Sequence, residues 1–321
     1  MYKKIKDLLI NNIQINQTII LISILIIGVE FYGLNLSYIK LLTIFSTTII
    51  TDIIFIKIKT GKFHFPFSGL NSGFGISTFL RSDHLIFFFF AGLIAIIGKN
   101  LLRIKGRHFF NPSNMGVFTT LLLFQNYTWS EALHWGNYLG ELNLKYFLVI
   151  IIISIFGFII NYRVNCFFKF RYFIDYLAPF FIVNTILFFT IPNIINTSTI
   201  MEYFNVTFFI FMFYMISDPK TVPGKSISRF FYVINLVIIF YILQFHINYI
   251  YALLGSLFIS TLQLPIIWHL EENNVKRKYN LLNLYLYLIT IITIIILLTT
   301  IYIYGKPDFI INNLCDNITC N

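Results

Sequence analysis

Charge is what this 321-residue sequence has least of: 11% of its residues are Asp, Glu, Lys or Arg, against about a quarter in soluble globular chains. That shortfall excludes a soluble domain, a disordered chain and a coiled coil. Cysteine is equally scarce. Cys166, Cys315 and Cys320 are too few for a disulfide scaffold, have no metal-ligand spacing and cannot supply an iron–sulfur cysteine set. Cys315 and Cys320 form a local disulfide if their side is oxidising, or remain two thiols. No nucleotide-binding glycine loop is present, so any NADH chemistry would occur on another protein. Only five alanines appear among abundant Ile, Asn, Lys and Phe, a bias of composition and not of mechanism.

Apolar residues are there instead: 58% of the chain is hydrophobic and 19% aromatic, with a mean hydropathy of +0.79. They come in runs too long for buried core helices and without strand-like alternation, the pattern of an all-α polytopic membrane protein. Hydropathy places spans near 17–36, 38–58, 84–98, 112–125, 145–162, 172–191, 203–216, 228–246, 248–269 and 283–304. The uncharged segment Phe65–Leu80, interrupted by Gly69, Gly73 and Gly75, is an eleventh crossing or a re-entrant dip. If it crosses, 19 of the 23 basic residues fall on one face. The positive-inside rule therefore favours eleven crossings in the cell (inner) membrane, N-terminus cytoplasmic and C-terminus outside. The first run lacks a small-residue cleavage site and reads as an anchor helix.

Three segments carry sequence that a bilayer alone does not demand. In Ser68-Gly69-Leu70-Asn71-Ser72-Gly73-Phe74-Gly75, the glycines fit either a broken crossing that aims half-helix ends into a cavity or a tight glycine-mediated helix contact. In Gly106-Arg107-His108-Phe109-Phe110-Asn111-Pro112, Asn111 before Pro112 predicts an N-cap with proline at N1. Such an end suits anions or polar ring edges, though Asn111 can simply cap, with Arg107 at the headgroups. In Ser217-Asp218-Pro219-Lys220-Thr221-Val222-Pro223-Gly224-Lys225, an Asp-Pro turn leads to Pro-Gly, a rigid connection. Asp218 near the apolar boundary needs a partner, which Lys220, Lys225 or Arg229 can supply.

Other ionisable residues divide between function and structure. Asp52 lies inside the second span, roughly 9 Å from its end, where an acid marks an ion pathway or pairs with Lys57 or Lys59. Asp175, four residues after Arg171, fits a helix-surface ion pair. Glu30 has no evident partner, and His246 and His269 at span ends suit structural roles.

Together and in this order, SGLNSGFGIS, GRHFFNPSNMGV and ISDPKTVPGKSISR resemble the boxes of the RnfD/NqrB family. These are membrane subunits of Rnf-type electron-transport complexes and of sodium-pumping NADH:quinone reductases. The likeness runs from about residue 40 to about residue 270. It implies a fold of inverted five-helix repeats with broken helices. An N-terminal anchor (1–36) would precede a core (37–270, in halves 37–162 and 163–270) and an extra C-terminal helix and outer tail (271–321). It also implies a flavin, riboflavin or FMN, held near Asn71, Gly73, His108, Asn111, Asp218 and Thr221; Asp52 stays the ion-pathway candidate as an acid inside a span. His108 stands where the family more often has asparagine.

The departures matter as much. No Ser-Gly-x-Thr sequence lies between the last two boxes, the loop Gln125–Leu144 is short, and Ser77-Thr78 lies on the wrong element. Covalent FMN is therefore not expected. The chain looks closer to shorter RnfD-like proteins such as the UnbU proteins, through Trp129 and Trp135-Gly136. Two functions follow from different classes. One is an electron-transfer subunit with non-covalent flavin, working with partner subunits and a quinone. The other is a non-redox transporter or membrane scaffold built on the same core. Neither implies nucleic acid, and the chain is at most part of a membrane oxidoreductase or translocase.

Overall fold

A computed structural model describes residues 13–31, 34, 36–131, 144–164, 173–191, 205–218, 220–273 and 281–304. These are overwhelmingly helical: α1 (Ile13–Phe31), α2 (Tyr38–Thr60), α3 (Phe67–Phe79), α4 (Leu85–Leu101), α5 (Pro112–Leu123), α6 (Leu144–Val164), α7 (Ala178–Thr190), α8 (Val206–Ile210), α9 (Ser226–Gln244), α10 (Tyr249–Thr261), α11 (Leu264–Asn273) and α12 (Leu281–Tyr304). A π-helical turn, Phe173–Leu177, leads into α7, and another, Phe211–Met215, continues α8. The other regular structure described is two short antiparallel pairs, β1 (Arg81–Ser82) with β4 (Thr128–Trp129) and β2 (Arg103–Ile104) with β3 (Arg107–His108).

Four helical stretches are long and apolar enough to cross a bilayer: Tyr38–Thr60, Ser226–Gln244, Tyr249–Glu272 and Leu281–Tyr302. Two of them, Tyr38–Thr60 and Leu281–Tyr302, keep most of their length outside the protein core, as on α12, where Leu284, Leu288, Ile291, Ile292, Ile295 and Leu298 are all exposed, whereas the other two are mostly buried. Lipid-facing helices expose such side chains, whereas soluble proteins rarely expose large apolar patches. Five shorter apolar stretches of 10–17 residues accompany these four, Ile15–Glu30, Leu85–Leu101, Leu148–Ile159, Ile174–Thr190 and Val206–Met215. The expected ten to eleven full-length crossings are thus corrected to four such helices and five shorter apolar ones among the described residues.

The glycine-rich segment also differs from the broken crossing that was one expectation. It forms one continuous helix, α3, because its small residues face neighbouring helices. A Cβ on Gly69 would lie 2.9 Å from the Thr48 carbonyl oxygen, and one on Gly75 would overlap the Ser113 side chain. Small residues therefore allow α2, α3 and α5 to approach closely. At the end of α3 the buried Arg81 guanidinium donates to the carbonyls of Ser77 (2.9 Å), Thr78 (3.1 Å) and Leu80 (2.7 Å). It satisfies the last turn. Burial pushes the Arg81 guanidinium down to about 10, while Glu131 opposes that shift.

The chain divides into two compact units, Met1–Phe170 with Met201–Val222, and Arg171–Ile200 with Pro223–Asn321. In the first, α3 packs on α1, α2 and α5, α4 on α2 and α5, and α6 on α1 and α8. In the second, α9 packs on α7, α10 and α12. There Asp175 pairs with Arg229 at 2.9 Å; Arg171, the partner its spacing suggested, lies outside the described residues. Cys166, Cys315, Cys320 and Trp135-Gly136 also lie outside them.

Candidate functional site

The two later boxes enter the site as rigid turns. Lys105 and Gly106 at the tip of the β2–β3 hairpin have φ of 50° and 79°, the left-handed values of a two-residue type I′ turn. The pairing sets His108 opposite Arg103, and Arg107 then donates to the carbonyls of Lys220 and Val222, both at 3.2 Å. Arg107 is thus a strap between two loops. Asn111 caps α5 as expected: its Oδ1 accepts from the Asn114 N–H at 3.1 Å, and Pro112 opens the helix. Its Nδ2 donates to the Met215 carbonyl at 3.0 Å.

Asp218 folds its own turn. Its Oδ1 accepts from the Lys220 N–H at 3.0 Å, and its carbonyl accepts from the N–H (3.0 Å) and the hydroxyl (3.2 Å) of Thr221. The partner that the sequence demanded is therefore local backbone. Thr221 is spent on this turn.

All three segments meet, within the first unit, on one cavity of about 280 Å³. Asn71, Ser72 and Gly75 of α3 face His108, Asn111 and Ser113 of the second segment and Ser217, Asp218 and Lys220 of the third, with Gln17 of α1. Phe74, Phe79, Phe213 and Tyr214 supply apolar wall, Phe74 and Tyr214 with ring centroids 6.3 Å apart. Of the residues expected at a ligand, Asn71, His108, Asn111 and Asp218 line the cavity, whereas Gly73 and Thr221 do not. Gly73 instead makes room for Phe45, whose ring would lie 2.7 Å from a Cβ there. Asn71 is steadied by the Thr18 hydroxyl at 2.8 Å.

No protein-family model matches the chain, and no curated protein matches it. The site's chemistry is therefore read from its own groups.

Sequence reasoning missed Lys99. No motif marks it, yet it sits in the last turn of α4, lines the cavity, and binds Asp52 at 2.7 and 2.8 Å and the Ser68 hydroxyl at 2.6 Å. Asp52, 2% exposed, is thus neutralised by a lysine 47 positions away and not by Lys57 or Lys59. Lys59 instead binds Asn100, at 2.7 Å to Oδ1. Glu30 likewise has a partner, the Tyr38 hydroxyl at 2.6 Å. The Asp52 cluster touches the cavity through Lys99 and Ser68. Aromatic faces, amide and hydroxyl groups, one carboxylate and one basic edge suit a planar polar ring with hydrogen-bond donors and acceptors on its rim. Among the described residues no cluster of His, Cys, Asp and Glu could hold a metal ion.

Proposed function

We propose that this chain is a membrane-embedded subunit of an RnfD/NqrB-like electron-transport system that binds flavin non-covalently in the α3–α5 cavity. The observation that carries this reading is the convergence of three sequence-distant segments on that cavity. Asn71, Asn111 and Ser113 would meet the polar rim of an isoalloxazine ring, with Phe74 and Tyr214 beside its faces. The protein's part in the chemistry is to hold the ring, exclude water and tune its potential through hydrogen bonds and nearby charge. Electrons would come from and go to partner subunits or a quinone. In this reading the chain sits in the inner membrane as two inverted repeats of crossing helices, N-terminus cytoplasmic and C-terminus outside.

The competing reading is a non-redox transporter or scaffold, favoured by the ion-paired Asp52–Lys99 cluster beside the cavity. Absorption and fluorescence spectra of the detergent-purified chain, before and after acid precipitation, separate the two. Flavin released into the supernatant supports the redox subunit, and flavin left in the pellet means covalent attachment. A colourless, monodisperse preparation that takes up neither riboflavin nor FMN overturns the flavin reading.

A further inference from the structure

The two ring nitrogens of His108 have different surroundings. Nδ1 lies 2.9 Å from the Phe110 carbonyl oxygen, which can only accept, so Nδ1 carries a proton. Nε2 then holds the lone pair of the neutral ring. His108 is only 4% exposed and lines the cavity. Among the described residues no protein group bonds to Nε2. A buried, oriented nitrogen without a protein partner faces whatever fills the cavity.

We propose that His108 is the proton-exchanging group of this cavity: Nε2 takes a proton from the cavity's contents and returns it, and Asp218 stabilises the imidazolium formed in between. The ligand class is a ring with an ionisable N–H or O–H. In the step the ligand N–H or O–H bond breaks, its electron pair stays on the ligand, and an Nε2–H bond forms while Nδ1–H is untouched. No electrons change hands. The charged groups facing His108 are Asp218, Lys220 and Lys99. Burial, Lys220 and Lys99 favour the neutral ring and Asp218 and the Phe110 carbonyl the charged one, with burial dominant, so the imidazole is held below its usual range. Only the identity of the ligand rests on the flavin reading.

The test is a pH titration of the full chain in detergent, labelled with ¹⁵N-histidine and read by long-range ¹⁵N–¹H correlation, with His108→Asn assigning the signal. His108 is expected in the Nδ1–H tautomer when neutral, titrating below the ordinary histidine range. Its midpoint should fall in Asp218→Asn, which removes the favourable charge, and rise in Lys220→Met, a change at an exposed side chain. An Nε2–H tautomer, or midpoints unmoved in whichever of the two variants folds, overturns the proposal. Riboflavin added at neutral pH should shift the Nε2 resonance. If it does not while the tautomer and both midpoint shifts stand, the flavin reading fails and the His108 assignment survives.

Discussion

Asn111 and Met215, 104 residues apart in the chain, are joined by a 3.0 Å hydrogen bond from the asparagine Nδ2 to the methionine carbonyl. The same side chain caps α5 through its oxygen. One residue therefore starts a helix and fixes the end of the Phe211–Met215 π turn against it. That turn leaves backbone carbonyls in need of partners, since π geometry shifts the helical ladder by one residue. Asn111 answers one of them.

The two roles are separable by substitution. Asn111→Ser keeps a good capping oxygen but loses the bridge, and should cost about 1 kcal/mol, the net worth of a typical hydrogen bond. Asn111→Ala loses both and should cost roughly 2 kcal/mol with the cap included. Thermal melts in detergent give the ranking. A serine variant as stable as the wild type would mean that the bridge contributes nothing.

Lys99 and Asp52 make a second test. Breaking a buried ion pair strands a charge, at about 3–5 kcal/mol, while replacing both members removes the desolvation cost as well. Asp52→Asn and Lys99→Met should each lower the melting temperature strongly, and the double variant should recover much of the loss. A double variant no more stable than the worse single one would show that the two residues act through separate contacts.

The sequence made the helices legible and most of their partners illegible. Hydropathy placed spans at 38–58 and 283–304, where the structure has Tyr38–Thr60 and Leu281–Tyr304. Asn111-Pro112 located the start of α5 because capping is local chemistry. The partner of Asp52 was misplaced for the opposite reason. Sequence offers the lysines nearest along the chain, Lys57 and Lys59, whereas Lys99 reaches Asp52 from another helix, 47 residues away, as Arg229 reaches Asp175 from 54. The glycines of α3 were readable as small, but whether they break a helix or pack one depends on what lies opposite. Thr48 and Ser113 decide it here.

At Gly75 that packing has a measurable cost. A methyl group would overlap the Ser113 side chain, which also donates to the Ser72 carbonyl at 3.0 Å. Gly75→Ala should therefore lose about 1–3 kcal/mol from overpacking, outweighing the helix-propensity gain of about 1 kcal/mol that alanine brings. Gly75→Ala/Ser113→Gly should restore part of the stability. Failure of that rescue in a thermal melt would place the strain elsewhere.

The depressed His108 also predicts how stability follows pH. The unfolded chain holds this proton up to a pH of about 6.5, and the folded chain releases it at lower pH. Below that value the unfolded state binds more protons, so stability is full above the unfolded value and falls as pH drops toward the folded one. Melting temperatures recorded from pH 7.5 down to pH 5 should decline in the wild type. They should decline less steeply in His108→Asn. Parallel curves would assign the acid limb to other groups.

In the second unit, Gly224 is gripped from both sides. Glu271 accepts its N–H at 3.0 Å and that of Lys225 at 2.9 Å, while Arg229 donates to its carbonyl at 2.6 Å and to Asp175 at 2.9 Å. The carboxylate thus caps the start of α9, and the guanidinium fork ties the same glycine to the Phe173–Leu177 turn. A lysine cannot hold both directions at once, so Arg229→Lys should cost about 1–3 kcal/mol. Glu271→Gln removes the charge from the cap and should cost about 0.5–1 kcal/mol. Because both act on one residue, the double variant should lose less than the sum. Additivity within about 0.3–0.5 kcal/mol would mean that the two grips are independent and that the Pro-Gly loop is held by its own backbone.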